Sequence, residues 1–282
     1  MSRNTEARSS TPLGKQVRLH PNDRDLPDSE QYPVWKILAI WAASAIPMGV
    51  GLWWITPTFL VGRMEIPGVG WLVLATAGLI WQAVLAYAVL RLEGIPFTRA
   101  GLTRRLWLGA PVSPRTGRAR KRYLWWALAA ALVYLAIDMT EILQPVNDLL
   151  TNALPALNPP DYALIENLAV PEIEGQWWLM GLLVVLILSN YLLGEELIFR
   201  GILLPKMHGA FGRFDVIMNG VLFATYHVHL IWAMPAMLIT DWIYPYLTKR
   251  YRSYWMGVVF HGIDAIFLLV LFPLAITGVV TS

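Results

Sequence analysis

Residues 176–200 read QWWLMGLLVVLILSNYLLGEELIFR. Residues 177–194 carry no charge, and the run then closes on Glu195, Glu196 and Arg200. Eighteen helical residues rise about 27 Å, close to the roughly 30 Å hydrocarbon core of a bilayer. The run is therefore read as a membrane helix, and the rest of the chain repeats the pattern. Apolar segments recur at about 34–62 (with Pro47 and Pro57 inside), 68–92, 123–144 and 254–278. Residues 216–248 hold no Lys or Arg and are too long for one straight span. Pro235 suggests two helices there, turning near 230–235. The expected fold class is all-α: a polytopic membrane helical bundle of about seven transmembrane helices, with six to eight allowed.

The composition agrees. Of 282 residues, 56% are apolar and 15% charged, where soluble domains average about a quarter charged. An ordinary soluble enzyme, a disordered chain and a coiled-coil rod are excluded. The absence of Cys excludes disulfides, thiolate metal sites and a cysteine nucleophile. Residues 1–33 are polar and mixed in charge, and read as a disordered cytoplasmic tail. No apolar run precedes Val34, so a signal peptide is not expected. Residues 34–122 would form N-terminal membrane helices and a basic cytoplasmic loop, and residues 123–282 the remaining bundle.

The net charge of +3 is a matter of placement. With seven spans, 21 of the 22 basic residues fall on one side, in the tail, 91–122, 200–213 and 249–252; Arg63 is left over. Asp148, Asp161, Glu166, Glu172 and Glu174 fall on the other. The positive-inside rule then gives a cytoplasmic N-terminus and an external C-terminus, in an integral protein of the plasma membrane. Nucleic acid is not an expected partner; the lipid bilayer is. Trp125, Trp126, Trp177 and Trp178 sit at span ends, as interfacial aromatics do. The arginines of 94–122 set topology, a reading preferred to an amphipathic segment lying on lipid.

Ionisable groups inside a bilayer are expensive and usually face a partner or a cavity. They are Glu195, Glu196, Arg200, His227, His229, Asp241, His261 and Asp264, all in the C-terminal half. Glu196 and Arg200 are i,i+4 and share a helix face, while Glu195 points about 100° away. His261 and Asp264 lie one turn apart on one face. Heights counted from the nearest basic residue scatter: about 8 Å for Glu195, 14 Å for His261 and 21 Å for His227. Two imidazoles and a carboxylate from three helices suit either water activation or a divalent metal such as zinc. No His-Glu-x-x-His motif and no Gly-x-Ser-x-Gly elbow occurs. His229 is given a packing role, since on a helix it points about 200° from His227.

Three ordered motifs now stand together: Glu195-Glu196-x-x-x-Arg200, Phe223-x-x-x-His227, and His261 on the last helix. Together they resemble the CAAX protease and bacteriocin-processing (CPBP) family of intramembrane proteases, which includes the type II CAAX prenyl endopeptidases. The resemblance covers about residues 180–270. It implies an all-helical fold with a hydrophilic cavity and hydrolysis of a peptide bond in a membrane-associated or prenylated-type peptide or protein substrate. It places Glu195 as the water-activating glutamate, with Glu196, Arg200, His227 and His261 at the family's motif positions. The family pattern has Asn four residues after the last His; here that residue is Ala265, with Asp264 one place earlier as its imperfect substitute. Two forms of the chemistry remain: a metal-free general base, or Zn²⁺ held by Glu195, His227 and His261. A non-catalytic scaffold or immunity-type relative, and a small proton-coupled transporter, are the rival functions.

Overall fold

A computed structural model describes residues 31–280. The expected tail falls outside those residues except for 31–33. Tyr32 is buried there: its N–H donates to the Lys206 carbonyl at 2.9 Å, and its hydroxyl meets the Glu93 carboxylate.

The architecture is all-α. Helices α1 (Val34–Leu60), α2 (Pro67–Leu92), α4 (Trp178–Lys206) and α8 (Tyr254–Ile276) are long and apolar enough to cross a membrane. Between them lie α3 (Leu124–Asp138), α5 (Asp215–Tyr226), α6 (Met234–Thr240) and α7 (Ile243–Tyr251). Among the described residues there is no strand, and the β-type pairing is one isolated antiparallel bridge, Val112 with Ala119. Ile37, Met48, Leu79, Phe199, Leu203, Phe223, Met256 and Phe260 belong to one buried core. Trp54, Val84, Val133, Leu188, Phe267 and Val270 face outward. In water so much exposed apolar surface would be a liability, whereas acyl chains solvate it.

The expected seven spans become four, or five if the bent pair 208–226 and 228–240 counts as one. Two segments account for the difference. The 123–144 segment is helical only to Asp138, 15 residues, because Glu141 takes a left-handed φ of 53° and the chain turns. Charged Asp138 and Glu141 cannot extend an apolar span. The 216–248 segment bends by 111° across 227–233: His227 takes ψ 36° and Leu230 is also non-helical (φ −119°, ψ 42°), so the turn starts earlier than the expected 230–235 and overlaps it. Pro235 opens α6 instead of breaking a helix, since a first-turn proline loses no hydrogen bond.

The chain's two ends separate nonetheless. At one, Val112 N–H donates to Tyr251 O at 2.8 Å, Ser253 Oγ to Gly109 O at 2.8 Å, and Lys249 pairs with Asp215. The basic segments thus gather at a single end. At the other, Gly175 N–H donates to Ile276 O at 2.8 Å. The α5–α6–α7 excursion starts and finishes at the basic end, because the Asp215–Lys249 pair joins its two limbs. It adds no net crossing. Tyr32 meets Lys206 at one end of α4 and Ile276 meets Gly175 beside the other, so residues 34 and 276 lie at opposite ends.

Proline and glycine widen two helices. In α1 the turns from Gly51 to Leu60 are π-helical around Pro57, which has no N–H to give. In α4 the stretches Ser189–Leu193 and Leu197–Leu203 are π-helical. The wide turns leave carbonyls for outside donors, and the basic loop supplies one. Arg105, buried in the 94–122 loop, donates to Gly201 O at 3.0 Å and Ile202 O at 3.1 Å. It also grips Glu93 with two bonds, at 2.6 and 2.9 Å. The loop is a structural part of the bundle's end, in addition to carrying charge. Removing one partner of a buried pair leaves an uncompensated charge. Arg105→Ala is therefore expected to lower stability by about 3–5 kcal/mol, with Arg105→Lys recovering part of it, as read by thermal unfolding in detergent.

Candidate active site

Glu195 enters the core because Gly194 lets α4 turn there. Gly194 has φ −102° and ψ −93°, and a Cβ would strike Ser189 O and Leu79 O, both backbone. The turn, with π-helical backbone on either side, aims Glu195 and Glu196 at different partners. Glu195 Oε1 lies 3.8 Å from His227 Nε2, and Oε2 lies 3.8 Å from His261 Nε2. Three motif residues from α4, the end of α5 and α8 therefore meet at one carboxylate. The unequal heights counted along the sequence do not persist, because α4 is not uniformly α-helical and α5 begins at Asp215.

Both imidazoles are oriented by their other nitrogen. His227 Nδ1 donates to Phe223 O at 2.9 Å, one turn back, which leaves Nε2 as an acceptor facing Glu195. That bond explains the aromatic-x-x-x-His spacing: residue 223 supplies the carbonyl and its ring packs edge-on to His227, centroids 4.7 Å apart. His261 Nδ1 faces Glu196 Oε1 at 3.2 Å. Tyr191, Phe223 and Tyr244 surround the His261 ring, with centroids at 4.7, 5.7 and 5.2 Å.

Glu196 has the structural part. Its Oε1 is also ion-paired with Arg200, 3.4 Å from Nε, and both side chains are fully buried. The Arg200 guanidinium lies over the Phe223 ring at 3.8 Å and the Tyr244 ring at 4.8 Å. Aromatic faces thus do part of what hydrogen-bond acceptors would otherwise do for this cation.

Two further donors hold Glu195. With its amide nitrogen turned toward the carboxylate, Asn190 donates at 2.9 and 3.2 Å. The Tyr226 hydroxyl lies within interaction range of the same carboxylate, and Gln82 Nε2 of α2 donates to that hydroxyl at 2.6 Å. Asn190, Tyr226 and Gln82 were not singled out in the sequence, where only charged groups and His were weighed. The available signal was an amide within an apolar span, at Gln82 and at Asn190.

The remaining expected residues divide. Asp264 is half-buried one turn beyond His261, with its N–H on His261 O at 3.2 Å, and its charge reaches Tyr134, Tyr191 and Tyr244. Asp241 is buried within the electrostatic reach of Arg200, His261 and Glu195, and accepts from Thr240 Oγ1 at 3.4 Å. His229 packs among Trp71 and Tyr226, yet its ring is 5.4 Å from His227. The 200° separation fails because the α-helix stops at Tyr226. Ala265 is buried and brings no polar group. The hydrophilic cavity implied by the resemblance is nearly shut: Glu195, His227 and His261 are 4%, 8% and 6% exposed.

A zinc ion is a poor fit to these side chains as placed. Tetrahedral ligands at about 2.0–2.1 Å stand roughly 3.3 Å apart, whereas each Glu195–imidazole gap is 3.8 Å. Among the described residues no three His, Asp or Glu side chains are grouped to hold a metal.

Residues 175–267 match the family model for Type II CAAX prenyl endopeptidase Rce1-like. The chain carries an Rce1-like domain. Rce1-like proteins form a protease family, and the match contains every residue of the three motifs. No curated protein and no solved structure matches the chain. Gln82 and Arg105 lie outside the Rce1-like domain yet bond Tyr226 and Gly201 within it.

Gly257 marks where α8 passes Glu196: a Cβ there would overlap Glu196 Oε2. Gly257→Ala is expected to cost about 1–3 kcal/mol by overpacking. Thermal unfolding should show a smaller cost in a Glu196→Ala background, because the obstructing carboxylate is gone.

Proposed function

We propose that the protein is an intramembrane endopeptidase that hydrolyses a peptide bond of a membrane-associated or prenylated-type peptide, using water activated by Glu195. The observation that carries this is the facing of two acceptors, Glu195 Oε1 and His227 Nε2, across 3.8 Å. A water about 2.8 Å from each can donate one proton to each, leaving a lone pair free for a carbonyl carbon. Glu195 takes the proton as the water attacks and returns it to the amine nitrogen as the tetrahedral intermediate collapses and the C–N bond breaks. His261, protonated on both nitrogens, would hold Nδ1–H on Glu196 and offer Nε2–H to the oxyanion. Arg200 and Glu196 are positioning groups in this scheme: they fix His261 and touch no substrate. Asp264 is nearest the place of the family's Asn and would assist the oxyanion only when protonated.

This scheme needs no metal, and the separations around Glu195 support it over a zinc-bound form. Catalysis by a positioned base is worth about 10²–10⁴-fold. Glu195→Gln and His227→Ala are expected to lower kcat on a prenylated CAAX-terminated peptide by at least that lower factor while the protein still accumulates folded. Full activity in either variant would end the assignment.

Ala265 favours a second reading, a relative that keeps the fold and acts by binding, since the oxyanion side has one donor fewer. Wild-type cleavage of the peptide in proteoliposomes separates the two.

The cytoplasmic placement of the N-terminus, and of the basic end at the plasma membrane's inner face, is part of the same proposal. It rests on the clustering of basic loops at one end of the bundle. Because the chain has no Cys, single cysteines report cleanly. Arg118→Cys should react with an impermeant maleimide only after the cell is opened, and Glu172→Cys in intact cells. The reverse pattern would invert the topology.

A further inference from the structure

We propose that Gln82 is a positioning residue for the Glu195 carboxylate, acting through the Tyr226 hydroxyl. The inference rests on the reading of Glu195 as the general base, and it brings a helix outside the Rce1-like domain into the catalytic centre.

Gln82 lies midway along α2, in a stretch otherwise nearly free of polar groups, and is completely buried. An amide in such surroundings is costly unless hydrogen-bonded, and Leu would pack there without that cost. Its Nε2 donates to the Tyr226 hydroxyl at 2.6 Å, and Tyr226 is also completely buried. Because the phenolic oxygen accepts from Gln82, its own proton is free to point at Glu195. In the proposed relay the donations run one way, from amide to phenol to carboxylate, each polarising the next.

The backbone makes this reach possible. α2 and α4 touch where Gly194 stands, since a Cβ on Gly194 would meet Leu79 O of α2 and approach Gln82 Oε1. Gln82 is therefore beside the turn that presents Glu195. Asn190 holds the carboxylate from α4 itself, and Tyr226 holds it from α5. Gln82 fixes the direction of the Tyr226 hydroxyl, and with it the rotation of the carboxylate relative to His227 and His261. A carboxylate turned away would still bind substrate but would activate water poorly. The expected signature is a loss in kcat with KM preserved.

The experiment uses the full chain in proteoliposomes with a prenylated CAAX-terminated peptide as probe. Gln82→Met keeps the length and volume of the side chain, and Tyr226→Phe removes a single hydroxyl. Each should lower kcat about 10- to 100-fold, with KM within about twofold. The double variant should be no slower than the slower single, because both break one chain. An unchanged kcat in Gln82→Met, or penalties that multiply, would overturn the relay. If Gln82→Met fails to fold, Tyr226→Phe decides by the same kcat criterion.

An infrared readout requires no substrate. The carboxyl or carboxylate band that Glu195→Gln removes should shift in both variants, and an unmoved band would also overturn the proposal. Glu195→Gln in the cleavage assay keeps the two ideas apart. Retained activity there refutes the general base itself, whereas its loss beside an undiminished Gln82→Met refutes only the relay.

Discussion

The fully buried pairing of Glu196 with Arg200 is the constraint around which the bundle is arranged. Two charges withdrawn from both water and lipid require compensation from every side. Glu196 receives Arg200 and His261, and Arg200 lies against the faces of Phe223 and Tyr244. These four partners come from α4, α5, α7 and α8. A single ion pair thus specifies how four helices pack, and it leaves no room on α8 for a residue larger than glycine at 257. The neighbouring Glu195 inherits its position from that arrangement. The stable carboxylate and the one proposed to be reactive are adjacent in sequence because one turn of backbone serves both.

Much of the fold was legible in apolar run length, which is a demand of the bilayer more than of the particular protein. The all-α class and the separation of basic from acidic segments follow from that demand. The number of spans was not legible. A hydropathy reading counts residues, and it could not register that Glu141 would take a left-handed conformation or that the chain would bend at His227. Both depend on tertiary packing. The same limit applies to the spread of heights assigned to Glu195, His227 and His261. Those heights assumed a uniform rise per residue, and π turns on both sides of Gly194 remove the assumption.

In the site, charged and imidazole groups stood out because their burial is expensive, and the structure brings Glu195, Glu196, Arg200, His227 and His261 together. Asp264 is only adjacent. Asn190, Tyr226 and Gln82 did not stand out, because amides and phenols in membrane helices are less costly and therefore less conspicuous. The angular argument about His229 was sound for an α-helix and failed because the helix ends one residue before His227. The basic loop shows the complementary case: its charge signalled topology, while the burial of Arg105 against the carbonyls of α4 was invisible in composition.

The tightness of the centre has a kinetic corollary. A scissile bond cannot reach groups exposed by less than a tenth of their surface while the bundle stays as it is. The jointed arm from Asp215 to Tyr251 starts and finishes at the basic end, where the Lys249–Asp215 pair ties it, and its middle packs on Trp53 and Trp71. Admission of a polypeptide would therefore require the helices around Glu195 to part. Turnover would accordingly track the thickness and fluidity of the surrounding lipid as much as the chemistry of the step it encloses.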